Sequence, residues 1–341
     1  MHPLHRPRTV LAMDPGFVTV DALFDEESRR RLAAVADVDF GLVVHDLAEP
    51  GAADALHDAE LLLTCWGAPP LDDALLEAAP RLRAAVHAAG TVRRLVTEAC
   101  WRRGVAVTSA AWANAFPVAE YTVATILLAN KRILHIRDLY RDHRGSRLDL
   151  HRLYTGAGNY RRTVGIVGAS RIGRRVLHLL SAYDLDLLLY DPFITPARAR
   201  ELGARLVELD ELCATSDVVS IHAPQLPETH HLIDRKRLAL LRDGATLINT
   251  ARGALIDQDA LIAELTTGRI DAVIDVTEPE IPPADSPLYD LPNVLLTPHV
   301  AGSLGNELHR MAAAAVDEVE RYAAGLPFAH VVSRQDMEHS A

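Results

Sequence analysis

A glycine-containing turn in the middle of the chain has the residues needed to bind phosphate. Gly168 and Gly173 enclose the segment 168–173, which follows an apolar run and precedes a helical pattern. Backbone N–H groups at such a helix N-terminus can bind a pyrophosphate, and the helix dipole strengthens the binding. Ser170 stands where the dinucleotide fingerprint has its second glycine, and it adds a side chain but also a hydroxyl donor. The pattern predicts a dinucleotide site that departs from the usual fingerprint at one residue.

A carboxylate after the next strand-like run indicates which dinucleotide is bound. Asp191 lies 191 − 173 = 18 residues after Gly173. A carboxylate in this place accepts hydrogen bonds from both ribose hydroxyls of the adenosine. It would repel a 2′-phosphate, and Pro192 and Phe193 supply no cation to offset that repulsion. Asp191 therefore favours NAD over NADP. The alternative is a glycine turn followed by an ordinary strand-end aspartate.

An arginine and a histidine further along the chain could bind and protonate an anionic substrate. Arg252 follows one strand-like run, and its planar guanidinium can bind a carboxylate through two hydrogen bonds. His299 follows another such run, and imidazole titrates in the range that suits general acid–base catalysis. Glu278 and Glu280 lie between them beside Pro279, and a carboxylate could orient the imidazole and favour its charged form. Taken singly, each residue could equally be an ordinary surface or loop residue.

Several motifs in a fixed order resemble the D-isomer-specific 2-hydroxyacid dehydrogenase family. They are the glycine turn, DVVSIHAP at 217–224, PET at 227–229, NTARG at 249–253, DVTEPE at 275–280, DSPL at 285–288, LPNV at 291–294 and TPHVAG at 297–302. The resemblance covers residues 82–302 and is specific for the family, though not for a substrate. It implies two Rossmann-like α/β domains with parallel sheets and an active site in the cleft. A cofactor domain of residues 113–302 would be inserted into a discontinuous substrate domain of residues 1–112 and 303–341.

The resemblance also implies the roles of the three polar residues. Arg252 would bind the carboxylate and carbonyl of the substrate, His299 would be the proton donor, and Glu280 would pair with the histidine. The family's spacing from Asp275, and not any chemistry visible in the sequence, selects Glu280 over Glu278. The implied reaction interconverts a 2-keto acid and a D-2-hydroxy acid. In the reductive direction NADH delivers hydride to the keto carbon.

A larger set of residues is expected to line the nucleotide site on the same basis. The backbones of Arg171 and Ile172 would face the pyrophosphate, and Asp275 would lie near the nicotinamide amide. The expected cofactor-binding residues are Gly168, Ser170, Arg171, Ile172, Gly173, Asp191, His222, Pro224, Thr229, Thr250, Ala251, Asp275 and Gly302. No metal site is expected.

A loop of small residues is the candidate substrate-binding segment. Ala89, Gly90 and Thr91 match positions that offer backbone N–H groups to the substrate carboxylate in the family. Small residues allow such close approach. Relatives often continue with Asp-Asn, whereas this chain has Arg93 and Arg94. The two arginines are interpreted either as a site for a second anionic group of the substrate or, more simply, as a solvated first helical turn.

Two series of short strands are predicted to position these residues. Apolar runs at 163–167, 187–190, 218–221, 246–249, 271–275 and 294–297 alternate with helical patterns, which predicts a parallel sheet covered on both faces. The first third of the chain repeats this pattern more weakly, with runs at 9–11, 41–45, 61–64, 82–87 and 105–107. Two longer helical patterns, at 114–142 and 305–324, are expected where the chain crosses between domains.

The composition excludes some partners. Forty-six acidic and thirty-five basic residues give a net charge of −11, which argues against nucleic acid and anionic membranes. The most apolar long stretch, 105–129, is interrupted by Pro117 and Glu120, so no membrane span is expected. Three scattered cysteines and an N-terminus without an apolar leader core predict a reducing, cytoplasmic location. A small-molecule substrate is expected, and a homodimer is expected because relatives are commonly dimers.

Three alternative functions stay open. One alternative is oxidation of formate or phosphite. Formate oxidisers of this fold carry Gln at the position of Glu280, so Glu280 argues against them. A corepressor-like protein that senses NAD(H) without turnover would not need the set of Arg252, Glu280 and His299. An enzyme weakened by Ser170 would bind NADH poorly or not at all.

Overall fold

The computed structural model of the protein describes residues 5–339, and its side chains as far as Met337. The chain divides into two compact units. The first unit joins the described residues up to Ala115 to those from Ser303 onward, and the second unit is Phe116–Gly302. Each unit contains one sheet whose strands all pair in parallel. The predicted α/β class with two parallel sheets is confirmed.

The first unit carries a five-stranded sheet. Its strands are β1 (Arg8–Ala12), β2 (Asp37–Val44), β3 (Leu61–Thr64), β4 (Ala84–His87) and β5 (Ala106–Ser109). Its helices are α1 (Val20–Leu23), α2 (Glu26–Val35), α3 (Ala52–His57), α4 (Asp73–Ala78) and α5 (Glu98–Arg103), joined near the end of the chain by α14 (Leu308–Ala323) and α15 (Arg334–His339). The spatial order is β2-β1-β3-β4-β5. Polar loop residues that follow β3, β4 and β5 therefore lie at one edge of the sheet.

The second unit carries a seven-stranded sheet. Its strands are β6 (Arg162–Val167), β7 (Leu185–Tyr190), β8 (Arg205–Leu206), β9 (Val218–Ile221), β10 (Thr246–Asn249), β11 (Asp271–Ile274) and β12 (Val294–Leu296). Its helices are α6 (Ala111–Asn130, starting in the first unit), α7 (Ile133–Asp142), α8 (Leu150–Leu153), α9 (Arg171–Leu180), α10 (Pro196–Glu201), α11 (Leu209–Thr215), α12 (Arg235–Leu240) and α13 (Gln258–Thr266). The spatial order is β12-β11-β10-β9-β6-β7-β8. Strand order reverses between β6 and β9, and ligands of open α/β sheets bind outside the strand ends at such a point.

The central strands of the second unit are buried, which explains why their sequences are largely apolar. All four residues of β9, of β10 and of β11 are buried. Leu212 of α11 packs with Val219 and Leu247 in one hydrophobic cluster. Leu177 of α9 packs with Ile166 and Ile248 in another. Helices therefore cover both faces of the sheet, so neither side of a central strand needs polar residues.

The prediction of one helix over 114–142 is wrong. Helix α6 ends at Asn130, and α7 begins at Ile133. Between them Arg132 adopts the left-handed conformation with φ of 55°. Its guanidinium donates to the carbonyl of Gly244 at 2.6 Å and pairs with the Asp271 carboxylate at 2.8 Å. These contacts to distant residues offset the local cost of a left-handed arginine, and the apolar pattern carries no sign of them.

Two further local predictions need correction, and one short strand was not predicted. Arg93 and Arg94 lie in a turn and not in a first helical turn, because α5 begins only at Glu98. The helix predicted over 305–324 begins with the 3₁₀ turn Gly305–Glu307 and becomes α-helical at Leu308. The edge strand β8 has only two residues, too short a run to produce a periodic signal. Among the described residues, no helix combines the length and the apolar character needed to cross a membrane.

Candidate functional site

The phosphate-binding turn leaves the end of β6 beside the end of β9. Gly168 has φ of 100°, and a Cβ added there would lie 2.8 Å from the backbone nitrogen of Ala223. A Cβ at Gly173 would lie 2.0 Å from the carbonyl oxygen of Gly168. Both contacts are with backbone, so neither position can take a side chain without moving the chain. The two glycines of the motif are therefore required by the packing of the turn.

Ser170 acts as the N-cap of α9. Its Oγ accepts the N–H of Gly173 at 3.2 Å, and its φ of −63° is ordinary for a serine. The next two residues, Arg171 and Ile172, occupy helical positions whose N–H groups have no partner within a helix. No hydrogen bond from either N–H to the described residues is found. The serine thus leaves the glycine turn of residues 168–173, here called the glycine cradle, intact. Two N–H groups are available for an anion.

Asp191 joins the glycine turn to the loop after β7. Its Oδ2 accepts the N–H of Ala169 at 2.7 Å, and its Oδ1 accepts the N–H of Phe193 at 2.8 Å. Each carboxylate oxygen keeps a second lone pair. Asp191 can therefore still accept hydroxyl groups from a ribose while it holds the turn. The glycine cradle, the two N–H groups and this carboxylate fit the phosphates and the adenosine ribose of NAD.

Three other residues expected to contact the cofactor already have hydrogen-bond partners in the protein. His222 Nε2 lies 2.9 Å from the Ser220 hydroxyl, and burial lowers the pKa of His222 to about 3. The Thr229 hydroxyl donates to the carbonyl of Pro224 at 2.6 Å. The Thr250 hydroxyl lies 3.1 Å from that of Thr122. These side chains shape the strand-end loops in which they lie. Of the remaining expected residues, Ala251 is buried, and Pro224 and Gly302 are half-buried.

The candidate acid–base pair lies beyond the ends of β11 and β12. His299 Nδ1 is 2.5 Å from Glu280 Oε1. The two side chains are 45% and 60% exposed, so an incoming molecule can reach them. The pair leaves Nε2 of His299 as the ring nitrogen that can face a ligand. The structure thus joins Glu280, and not Glu278, to His299.

Asp275 holds the loop that carries His299. Its buried carboxylate accepts the Thr297 hydroxyl at 2.6 Å and the N–H groups of Val300 at 2.8 Å and Ala301 at 2.9 Å. Its carbonyl accepts the N–H of His299 at 2.8 Å. Sequence analysis assigned Asp275 only to the cofactor. In the structure it is the residue that positions the histidine loop.

A tyrosine from α6 extends this network. Its hydroxyl, Tyr121 OH, lies 3.1 Å from Thr297 Oγ1. The proton of the Thr297 hydroxyl goes to Asp275, because a carboxylate can only accept, so Tyr121 must be the donor to Thr297. Burial raises the pKa of Tyr121, which keeps the phenol protonated for this role. Nothing in the sequence distinguished Tyr121 from an ordinary core residue.

Asn249 builds the turn that carries Arg252. Its side chain donates to the carbonyl of Arg252 at 2.8 Å and accepts the N–H of Ala251 at 3.0 Å. The guanidinium of Arg252 donates to the carbonyl of Ala251 at 2.6 Å. Asn249 was part of the recognised motif but had no assigned role. It closes the turn from which the arginine projects.

Gly253 brings the arginine turn against the segment that leads to Glu280. A Cβ at Gly253 would lie 2.1 Å from the carbonyl carbon of Thr277. The Thr277 hydroxyl in turn donates to the carbonyl of Glu280 at 2.9 Å. Arg252 and the pair of Glu280 and His299 are thus carried by neighbouring loops of one unit. The strands that precede these loops, β10, β11 and β12, are neighbours in the sheet.

The candidate substrate loop has its carbonyl groups turned back into the first unit. Ser109, at the end of β5, donates to the carbonyl of Gly90 at 2.6 Å, and the carbonyl of Ala89 is 3.3 Å away. In a planar trans peptide the N–H points opposite to the C=O. The N–H groups of Gly90 and Thr91 therefore point away from Ser109. Neither makes a hydrogen bond to the described residues. Such paired N–H groups can bind an anion.

His87 lies directly beneath this loop. Its Nδ1 lies 2.9 Å from the Thr64 hydroxyl, and its Nε2 has no hydrogen bond of good geometry to any described residue. Burial lowers the pKa of His87 to about 4, a shift that the backbone of Thr91 only partly opposes. The histidine is therefore neutral, and its buried ring supports the loop from below. Arg93 also has a structural partner, because it donates to the carbonyl of Met337 at 2.9 Å.

A comparison with protein families decides the assignment. Residues 123–301, more than half of the chain, match the family model of the D-isomer specific 2-hydroxyacid dehydrogenase NAD binding domain. The chain belongs to the D-isomer specific 2-hydroxyacid dehydrogenase family. The matched segment lies within the second unit and contains every cofactor and catalytic candidate except Gly302, together with none of the substrate loop. The family predicted from the ordered motifs is confirmed.

Individual relatives agree with this assignment. D-3-phosphoglycerate dehydrogenase of Mycobacterium tuberculosis is 35% identical over 272 residues, which cover 80% of this chain and 50% of the relative. The chain thus spans about half the length of the curated relatives it matches. The TT0316 protein of Thermus thermophilus is 28% identical, with a TM-score of 0.76 over 95% of this chain and 99% of that one. D-lactate dehydrogenase of Aquifex aeolicus, solved with NAD and lactic acid, is 28% identical, with a TM-score of 0.69 over 93% and 95%.

The sequence analysis missed three residues that hold the loops of the candidate site in place. Ser109, Tyr121 and Gln258 attracted no attention because each acts through a contact with a residue far along the chain. Gln258 clamps the backbone of Glu278, donating to its carbonyl at 2.9 Å and accepting its N–H at 3.1 Å. A polar residue placed next to a strand end was the only signal that could have marked Ser109. For the other two no sequence signal existed.

Proposed function

We propose that the protein is an NAD(H)-dependent oxidoreductase that interconverts a 2-keto acid and the corresponding D-2-hydroxy acid. The observation that carries the proposal is the contact of 2.5 Å between His299 Nδ1 and Glu280 Oε1, on loops next to the Arg252 turn. A histidine paired with a carboxylate through Nδ1 is an arrangement suited to proton transfer at Nε2. Membership of the family supports the same reaction.

The cofactor would be held by the glycine turn and by Asp191. The N–H groups of Arg171 and Ile172 would bind the pyrophosphate, and the Asp191 carboxylate would accept the ribose hydroxyls. NADH, when bound, supplies the hydride for the keto carbon. Preference for NAD over NADP follows from the negative charge of Asp191, which would repel a 2′-phosphate. The relative solved with NAD and lactic acid supports this choice of cofactor.

The protein residues would share the remaining work of the reduction. Arg252 would bind the substrate carboxylate through its fork of N–H donors and polarise the carbonyl. The N–H groups of the loop of Ala89, Gly90 and Thr91 would add hydrogen bonds to the carboxylate. His299, charged and oriented by Glu280, would donate its Nε2 proton to the carbonyl oxygen as it gains negative charge. In the oxidative direction the neutral histidine would accept that proton.

A screen of NADH oxidation tests the proposal and its main rival. Glyoxylate, pyruvate, hydroxypyruvate, branched and aryl keto acids and phosphorylated keto acids would each be mixed with protein and NADH. Because relatives carry the name D-3-phosphoglycerate dehydrogenase, D-3-phosphoglycerate with NAD completes the set. We expect turnover of at least one acid. Binding of NADH without consumption beside every acid would instead identify an NAD(H)-sensing protein.

The two arginines beside the substrate loop can be tested in the same screen. Arg93→Ala and Arg94→Ala together would raise KM for a dianionic substrate if these residues bind a second anionic group. An unchanged KM for the best phosphorylated acid would reject that role. The contact of Arg93 with the carbonyl of Met337 supports a structural role for Arg93, different from the solvated first helical turn that the sequence suggested.

We also propose a homodimer formed through α7. None of its ten residues is buried, although the helix is amphipathic, and Tyr140 and Ile133 are 68% and 37% exposed. An amphipathic helix normally buries its apolar face. Light scattering after size-exclusion chromatography should give twice the chain mass, and Tyr140→Glu should lower the dimer fraction. A monomer at all concentrations would contradict this proposal.

A further inference from the structure

Two adjacent histidines and a glutamate form a cluster that the proposed reaction does not use. His230 and His231 follow the 3₁₀ turn Pro227–Thr229, and Glu278 follows β11. One side-chain donor atom from each residue lies within 4.8 Å of the other two. His230 and Glu278 are exposed to solvent, and His231 is at least partly exposed. The cluster is therefore open to an ion and is built from two separate loops of the second unit.

The backbone of His231 turns both imidazoles to the same side. Side chains of successive residues in an extended chain point to opposite faces. His231 instead adopts the left-handed conformation, with φ of 51°, and its N–H donates to the carbonyl of Ala254 at 2.8 Å. As a result the rings of His230 and His231 stack, with centroids 3.9 Å apart and planes at 23°. Two neighbouring imidazoles are thereby presented together.

The position of Glu278 is fixed independently of the histidines. The Gln258 amide makes a hydrogen bond to the N–H of Glu278 and another to its carbonyl. The backbone before it packs against Gly253. Its carboxylate approaches the imidazoles from the segment that follows β11. The third donor thus comes to the cluster on a rigid support.

Two imidazoles and one carboxylate form a ligand set suited to zinc and neighbouring transition-metal ions. Zinc bonds of about 2.0–2.2 Å place tetrahedral ligand atoms about 3.4 Å apart. The donors lie within 4.8 Å of one another, so small rotamer changes of exposed side chains would bring them into place. Three protein ligands leave a fourth position for water.

We propose that His230, His231 and Glu278 bind one divalent transition-metal ion of the zinc class. The ion would join the loop after β9 to the segment after β11, which continues to Glu280. Sequence analysis predicted no metal because two adjacent histidines have no ligand spacing and Glu278 lies 278 − 231 = 47 residues further on. The site is independent of the dehydrogenase reaction. Its test therefore needs no substrate.

Calorimetric titration with zinc alone tests the site. Protein without an affinity tag is treated with chelator, dialysed and titrated with Zn²⁺ in a non-coordinating buffer. We expect one ion per chain, and a Kd at least about tenfold weaker in each of His230→Ala, His231→Asn and Glu278→Gln, as loss of even a supporting group costs that much. His151→Ala, which removes an exposed histidine from α8, is the matched control and should bind as the wild type does.

Folding is checked separately from metal binding. Asparagine tolerates the left-handed conformation, so His231→Asn keeps the turn while removing the ligand. Each variant should keep the wild-type Tm without zinc. Zinc should raise the Tm of the wild type and of His151→Ala more than that of the three ligand variants, because an ion that binds the folded state stabilises it. Absence of saturable binding to the wild type would overturn the proposal. Undiminished binding by all three variants would do the same.

Discussion

Gly253 lies where two backbone segments of the second unit touch. A Cβ in its place would be 2.1 Å from the carbonyl carbon of Thr277, 2.2 Å from its oxygen and 2.6 Å from the nitrogen of Glu278. Favourable carbon–carbon contacts lie at about 3.5–4.0 Å. The contacted atoms are backbone, and the Gln258 amide holds them in place, so no side chain can rotate away. Gly253→Ala must therefore move one segment by about 1 Å or more.

The size of the effect follows from that displacement. Inserting a methyl group into a closely packed place costs about 1–3 kcal/mol. We expect Gly253→Ala to lower the free energy of unfolding by about 2 kcal/mol on this basis. The same shift separates Arg252 from the loop of Glu280 and His299. Because a misplacement of about 1 Å can cost 10²-fold in rate, kcat/KM with NADH and the best keto acid should fall by about that factor.

Urea unfolding and steady-state kinetics check both numbers. Gly156→Ala is the matched control, since Gly156 is exposed, a methyl group placed on it would have no heavy atom within 4 Å, and its backbone does not need a positive φ. That substitution should leave kcat/KM unchanged and raise stability by about 0.4–1 kcal/mol, because it restricts the unfolded chain. If Gly253→Ala matched Gly156→Ala in both measurements, the close backbone approach would be wrong.

Four further substitutions test separate contacts. His299→Ala should lower kcat by about 10²–10⁴-fold while fluorescence titration shows NADH still bound; near-normal turnover would refute its role as proton donor. Asp191→Ala should erode the ratio of kcat/KM with NADH to that with NADPH, and an unchanged ratio would count against the ribose contact. Ser109→Ala should raise KM for the keto acid by up to about tenfold through loss of one hydrogen bond, without changing NADH affinity. His87 is neutral in the folded state, with pKa lowered from 6.5 to about 4, so the unfolded state binds the extra proton between these values. Stability should fall as pH drops through this window, by up to about 1.4 kcal/mol per pH unit, and His87→Gln should flatten the urea-midpoint profile; an equally steep profile would exclude the histidine as its source.

The strands and the order of the motifs could be predicted from the sequence. Runs such as 218–221 and 246–249 coincide with β9 and β10, because central parallel strands are covered by helices on both faces and are therefore largely apolar. The glycines at 168 and 173 were equally visible, since no other residue fits between the backbones that meet there. Features of this kind can be recognised from a short segment of the sequence.

The ends of helices and the conformations of turns were less predictable from the sequence. The break at Arg132 depends on the carbonyl of Gly244 and the carboxylate of Asp271, more than a hundred residues away. The turn of Arg93 depends in the same way on Met337. A local apolar pattern contains no information about partners at such distances, and the helical pattern over 114–142 therefore ran past the true end of α6.

The sequence by itself determined the family, the glycine cradle and the identities of Arg252, Glu280 and His299, because each belongs to a motif read along the chain. Only the tertiary structure decided how these residues are held. It assigned Asp275 to the histidine loop, Asn249 to the arginine turn and Ser109 to the carbonyl groups of the substrate loop. It also brought His230 and His231 to Glu278. Hydrogen bonds and donor clusters depend on atoms that the fold brings within a few ångströms, and spacing along the chain does not encode that proximity.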